Sequence, residues 1–184
     1  CISKGLNKFN KIDAAIHAAY PKSEGWGTKF EDIKEEFLMD DIKNQLGSAI
    51  IFSQRITNCF VKQGFGNLIH ISSIQGIRAP KFDHYESTNM TSPLEYSAIK
   101  SGIISITQYL SKYYRKKNLR FNCISPGGIE NNQPIEFIRK YNNACNSKGL
   151  LNSEDLIGTL LFLISDDSKY INGQNIIIDD GWSL

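Results

Sequence analysis

The sequence predicts an α/β fold, a doubly wound, Rossmann-like parallel sheet in a single domain over residues 1–184, and three observations predict it. Short apolar runs at 11–19, 67–73, 119–125 and 173–179 alternate with longer stretches of helical spacing. The intervening stretches are long enough to be crossover helices, as parallel strands require. Each run is closed by proline, glycine or small polar residues, the usual punctuation at strand ends.

The elements follow in order. Residues 11–19 (KIDAAIHAA), closed by Tyr20-Pro21, read as the first strand, and a polar loop through Gly25-Trp26-Gly27 follows. From 30 to 63 the spacing of Ile42, Leu46, Ala49, Ile50, Phe52 and Ile56 marks an apolar helical face, read as one short and one long helix. Gly64-Phe65-Gly66 ends it, and 67–73 form the second strand. After a long mixed loop at 74–91, Ser92-Pro93-Leu94-Glu95 predicts an N-cap serine, a first-turn proline and a glutamate three residues after the cap. That helix is expected to run to about 117, followed by a third strand at 119–125 that Pro126-Gly127-Gly128 stops. A loop and short helix to about 145, a helix at 154–164 capped by Ser153, and a last strand at 173–179 complete the chain.

Composition narrows the class. A hydrophobic share of 41% with 22% charged residues in 184 residues suits one globular domain with a core. With 21 basic and 19 acidic side chains the net charge is only +2, and the short cluster Arg115-Lys116-Lys117 reads as a solvated helix end, so no nucleic-acid partner is expected. Cys1, Cys59, Cys123 and Cys145 show neither paired spacing nor nearby histidines; free thiols, no metal and a cytoplasmic location are the expectation. No run approaches the roughly 20 apolar residues of a membrane span, and the first residues lack a signal-peptide layout. The absence of an initiator Met suggests a processed chain or a piece of a longer one.

The chemistry concentrates in Tyr96-Ser97-Ala98-Ile99-Lys100. Residues four apart on a helix are surface neighbours, so the Lys100 charge is expected to favour the ionised Tyr96 phenol and lower its pKa. A Tyr and a Lys at this spacing are, by themselves, a common surface pair. Their context is what distinguishes them. In an open α/β sheet ligands bind beyond the carboxyl ends of the strands, where Ala19-Tyr20, Ser72-Ser73 and Pro126-Gly127-Gly128 are all expected to fall. A serine hydroxyl, a phenol and an ammonium converging there could polarise a carbonyl and protonate it as a hydride arrives.

These residues resemble the short-chain dehydrogenase/reductase family, from Ile12 to the carboxyl end. Tyr96 and Lys100 match its Tyr-x-x-x-Lys, Ser73 its strand-ending serine, Asn44 its helix asparagine and Pro126-Gly127 its proline-glycine turn; residues 172–181 resemble its last strand. The resemblance implies an oxidoreductase acting on an alcohol or carbonyl with NAD or NADP. Tyr96 would be the general acid/base and Ser73 would hold the substrate oxygen. Lys100 would tune Tyr96 and bind the nicotinamide ribose, Asn44 would support a proton-carrying water, and Ala19, Pro126, Gly127 and Ile129 would contact the cofactor. A homo-oligomer, dimer or tetramer, paired through the long helices is also implied. Within the family, the long loop and the segments Pro126-Gly127-Gly128-Ile129 and Asn132-Gln133-Pro134 look like a bacterial flagellin-modification subgroup associated with sialic-acid-like sugars.

Three departures from the family pattern stand out. The amino-terminal Gly-rich phosphate turn has no counterpart, and the family's first strands, including the central one, are expected to be missing. His17-Ala18-Ala19-Tyr20 replaces an asparagine-rich turn. The 22 residues between Ser73 and Tyr96 are more than the family usually has, and Arg78, Lys81, His84 and Tyr85 within them could line a pocket for an anionic or sugar-like substrate. Two alternatives remain: a non-catalytic remnant that serves assembly, with the first strand as an association-prone edge, and the longer sugar-nucleotide epimerase branch. The latter fits less well, because only 84 residues follow Lys100 and they end in a strand.

Overall fold

The computed structural model describes residues 2–184; Cys1, expected as a free thiol, lies outside them. Four strands, β1 (Ala14–His17), β2 (Gly66–Ile71), β3 (Leu119–Pro126) and β4 (Asn175–Ile178), form a parallel sheet in the order β1-β2-β3-β4. The register sets His17 beside His70 and Cys123 beside Asn175. All four strands therefore end at one edge, the edge at which an open parallel sheet gathers a site.

Alternation along the strands divides the core. Leu68 and Phe121 face the helices α3 (Ser48–Gln63) and α4 (Leu94–Tyr113), packing with Ile56 and Phe60, while Ile69 and Ile124 face α6 (Ile157–Ile164) and pack on Leu163. Helices on both faces explain why five of the six β2 residues are buried. On the second face Asn67 donates to the Leu163 carbonyl at 2.6 Å, which fixes α6 to the sheet.

Several boundaries differ from the sequence expectation for identifiable reasons. β1 is shorter than residues 11–19, since only Ala14–His17 find partners on β2. A helix the sequence reading did not assign, α1 (Ile2–Phe9), precedes it, and Ile2 and Ile12 pack against the Phe60 cluster. The predicted short and long helices are α2 (Glu35–Asp41) and α3, joined by the π-helical turn Ile42–Gly47. Gly64 closes α3 at φ 87°, with its N–H on the Phe60 carbonyl at 2.9 Å.

Ser92 does not cap α4. Pro93 occupies the cap position, and the Ser92 hydroxyl turns instead to Gln75 Oε1 at 2.6 Å. α4 ends at Tyr113 rather than about 117, and the short helix is α5 (Ile135–Asn143). Asn152, not Ser153, caps the next turn through a reciprocal box with Asp155, so Ser153–Leu156 is a 3₁₀ turn ahead of α6. Among the described residues no helix is long and apolar enough to cross a membrane.

Candidate active site

Beyond the carboxyl ends of β1, β2 and β3 lies a cavity of about 680 Å³. Its floor holds Ser73, Tyr96 and Lys100; Pro126, Gly127 and Ile129 form one wall, and Tyr85, Phe137 and Trp182 another.

Two serines end β2, and their hydrogen bonds separate their roles. Ser72 is committed to structure: its N–H bonds Ile124 O at 2.7 Å and its hydroxyl bonds the Lys100 carbonyl at 2.7 Å. Ser73 Oγ accepts from the Gln75 N–H at 3.2 Å, which leaves its proton on the side of the Tyr96 phenol and the cavity. Gly76 makes this close approach to α4 possible. A Cβ there would lie 2.9 Å from the Lys100 carbonyl carbon, and Ser101 donates to the Gly76 carbonyl at 2.8 Å.

Tyr96 and Lys100 occupy the first two turns of α4 as the spacing predicts. Burial pushes the Tyr96 phenol above its ordinary value, and the neighbouring Ser73 hydroxyl offsets part of that rise. Lys100 is buried too, and loss of hydration lowers its amine to about 8. Its Nζ donates to the Ile71 carbonyl at 3.1 Å and lies 5.2 Å from the Tyr20 ring centre and 5.6 Å from that of Tyr96. The expected lowering of Tyr96 by Lys100 is therefore not present in this state, because the ammonium is turned to a backbone carbonyl and faces the ring.

The loop after β1 contributes two aromatic rings, Tyr20, which the sequence reading placed at this edge, and Trp26, which it did not. Trp26 and Tyr20 meet each other edge-on at 5.4 Å, and each meets Tyr96 edge-on, at 6.0 and 5.6 Å. The aromatic residue between two glycines, Gly25-Trp26-Gly27, was the available signal. Ala18 and Tyr20 line the cavity, whereas Ala19 is exposed and does not. Ala19, expected to contact the cofactor, stands with Ala18 and Tyr20 in the loop that follows β1.

Asn44 lies in the π turn ahead of α3. It is exposed, with its carbonyl accepting from Ser48 Oγ. Gln45, the next residue in the π turn, is 2% exposed and its Nε2 has no partner among the described residues. A π turn shifts the facing position by one residue, and such turns recur at functional sites. Of the loop residues proposed for a pocket, His84 and Tyr85 line the cavity; Arg78 and Lys81 do not. Arg78 Nε donates to Ser183 O at 3.1 Å and Lys81 Nζ to Trp182 O at 3.2 Å, tying the loop to the carboxyl-terminal turn.

A nicotinamide fits part of this cavity. Gly127 N–H is held by Ile178 O and Gly128 N–H by the Tyr141 hydroxyl, so among these three the Ile129 amide remains uncommitted at the wall. Lys100 and Tyr96 offer donors for ribose hydroxyls on the floor. Among the described residues no strand, glycine-rich turn and helix combine to cradle a pyrophosphate.

A parallel sheet with a Ser, Tyr and Lys gathered at its carboxyl edge defines a dehydrogenase of nicotinamide type. A family model described as Enoyl-(Acyl carrier protein) reductase matches residues 1–183. The chain is 42% identical to the post-translational flagellin modification protein A of Campylobacter coli, an alignment covering 100% of this chain and 72% of that protein. It is 28% identical to the 7alpha-hydroxysteroid dehydrogenase of Bacteroides fragilis, covering 97% and 67%. A crystal structure of a short-chain dehydrogenase from Leptospira borgpetersenii with bound NAD+ superposes with TM-score 0.89 at 32% identity, covering 99% of this chain and 69% of that one. The chain belongs to the short-chain dehydrogenase/reductase family, oxidoreductases that act on CH–OH groups with NAD or NADP.

Proposed function

We propose that this chain supplies the proton-handling part of an NAD(P)-dependent oxidation or reduction of a sugar-derived alcohol or ketone in flagellin modification. The convergence of Ser73, Tyr96 and Lys100 on one cavity carries the reading. The likeness to flagellin modification protein A supports the biological setting.

The nicotinamide cofactor supplies or takes the hydride when bound. In the reducing direction Ser73 donates a hydrogen bond to the substrate oxygen, and Tyr96 gives that oxygen its proton. Lys100 supports the phenolate left behind, which its position one helical turn away permits. Gln45 is buried in the π turn, which packs against α4, the helix that carries Lys100. Titration with NADH, followed by energy transfer from Trp26 and Trp182, tests this reading. Saturable binding supports it, and no transfer at millimolar cofactor contradicts it.

A second reading, in which the chain serves assembly, rests on an exposed apolar surface. A groove between the outer faces of α3 and α4, lined by Ile50, Tyr109 and Tyr113, fits a second copy of the chain through paired long helices. The two readings are compatible as far as the homo-oligomer, dimer or tetramer, is concerned; the NADH titration separates them on catalysis.

A further inference from the structure

The long segment between Ser73 and Tyr96 folds back over the cavity through a 3₁₀ turn, Phe82–Tyr85. α5 holds that turn in place: Lys140 Nζ donates to Asp83 O at 2.6 Å, and the Tyr85 ring packs on Phe137 at 5.2 Å. Tyr85 thereby becomes a wall of the same cavity as Tyr96.

The hydrogen bonds give the Tyr85 hydroxyl a direction. Ser92 Oγ donates to Gln75 Oε1 at 2.6 Å, which turns the Gln75 amide nitrogen toward Tyr85, and Nε2 donates to the Tyr85 oxygen at 3.2 Å. The phenol oxygen is an acceptor in that bond, so its own proton points away from Gln75, with the Ser92 hydroxyl as the other polar side chain beside it among the described residues. Burial raises the phenol's pKa, which keeps that proton in place.

One residue therefore orients two hydroxyls. The Gln75 main-chain N–H fixes Ser73 Oγ, and the Gln75 side chain fixes Tyr85 Oη. A ligand held by Ser73 at its reacting oxygen meets a second, preset donor nearby. The nearby cations do not join in: Arg78 and Lys81 of the loop and Lys140 of α5 are spent on backbone carbonyls, and His84 is buried against Phe137, Tyr141 and Trp182, where burial lowers its pKa. Besides the buried His84, Lys100 on the floor is the basic side chain of the lining among the described residues, and Glu130 adds a carboxylate.

We infer that Tyr85 is a specificity-determining residue that donates to a second substrate oxygen beside the reacting carbon, and that the substrate is an uncharged vicinal diol or α-hydroxy ketone, as in a neutral sugar. The inference rests on the proposed role of Ser73 and Tyr96 at the reacting oxygen. It narrows the sequence expectation of an anionic or sugar-like substrate to the sugar-like half.

The test is a binding titration on the 184-residue protein, read by the fluorescence of its only two tryptophans, Trp26 and Trp182, both at the site. The probes are trans-cyclohexane-1,2-diol, cyclohexanol and trans-2-hydroxycyclohexane carboxylate. The diol should bind about tenfold tighter than the mono-alcohol, a difference expected for one added hydrogen bond in a closed site, and the carboxylate should gain nothing over the mono-alcohol. Tyr85→Phe should erase the diol preference and leave cyclohexanol affinity unchanged. Ser92→Ala, which frees the Gln75 amide from outside the reacting centre, should weaken the preference and serves if Tyr85→Phe does not fold. Equal affinities for diol and mono-alcohol, tighter carboxylate binding, a preference that survives Tyr85→Phe, or no quenching by any probe would each overturn the inference. The proton-transfer reading fails separately, by turnover surviving in Tyr96→Phe while the diol preference stands.

Discussion

The Lys100 Nζ lies 5.6 Å from the centre of the Tyr96 ring and is hydrogen-bonded to the Ile71 carbonyl at 3.1 Å. The cation thus sits behind the phenol, held by the end of β2, with its stem packed inside the protein. Its amine titrates at about 8 because burial has removed its water. This geometry makes Lys100 a cost to the fold and an asset to the site.

The cost gives a signed prediction. The unfolded lysine titrates at 10.5 and the folded one at about 8, so the unfolded chain binds more protons between those values and stability rises with pH there. Lys100→Met should remove the burden, raising stability at pH 7 by up to about 3 kcal/mol and losing that advantage by about pH 10. Urea unfolding of both proteins at several pH values measures it. A variant less stable than the parent at neutral pH would contradict the account.

His70 makes the opposite edge of the pH range sensitive. It is fully buried between Ser53, at 3.1 Å from Nε2, and the His17 ring, and burial pushes its pKa from 6.5 down to about 3. Below pH 6.5 the unfolded histidine gains a proton that the folded one refuses, so stability falls with pH, by about 1.4 kcal/mol per unit from this group alone. His70→Asn, which stays neutral, should unfold less steeply between pH 6 and pH 4, as followed by circular dichroism.

Packing around Phe60 sets a third expectation. Phe60 and Phe121 are both fully buried, and a Cβ on Gly66 would fall 2.0 Å from the Phe60 ring. Phe60→Ala should cost about 3–5 kcal/mol. Gly66→Ala should destabilise as well, by forcing the ring aside. Equilibrium denaturation gives both values.

The neighbours Asn44 and Gln45 separate the two readings of the π turn. Gln45→Ala opens a cavity in the buried side of the π turn and should lower turnover by about tenfold or more, while exposed Asn44→Ala should stay within about twofold. Steady-state kinetics with an unchanged cofactor affinity would tie the loss to Gln45 itself.

How legible all this was in the sequence depended on the range of the interactions. The strands, the glycine end of α3 and the placement of Tyr96 and Lys100 follow from local pattern, and the sequence reading located them. Ser92 carried a capping pattern, yet Gln75, 17 residues earlier, takes its hydroxyl. Gln45 turns inward beside exposed Asn44 in a π turn, which sequence periodicity does not register. Arg78 and Lys81 looked available for an anion until the carboxyl-terminal turn, more than 100 residues away, brought carbonyls to them. Tyr20 and Trp26 gather at Tyr96 only because β1 and β2 lie side by side.

The most direct test of the central claim is turnover of Tyr96→Phe, with NADH and cyclohexane-1,2-dione, set beside NADH affinity measured by energy transfer. The account predicts parental turnover that falls by at least about a thousandfold in the variant, as loss of a proton-transferring group entails, with cofactor affinity nearly unchanged. Turnover within tenfold of the parent would show that the proton passes elsewhere and that the Tyr96 phenol is not the acid/base.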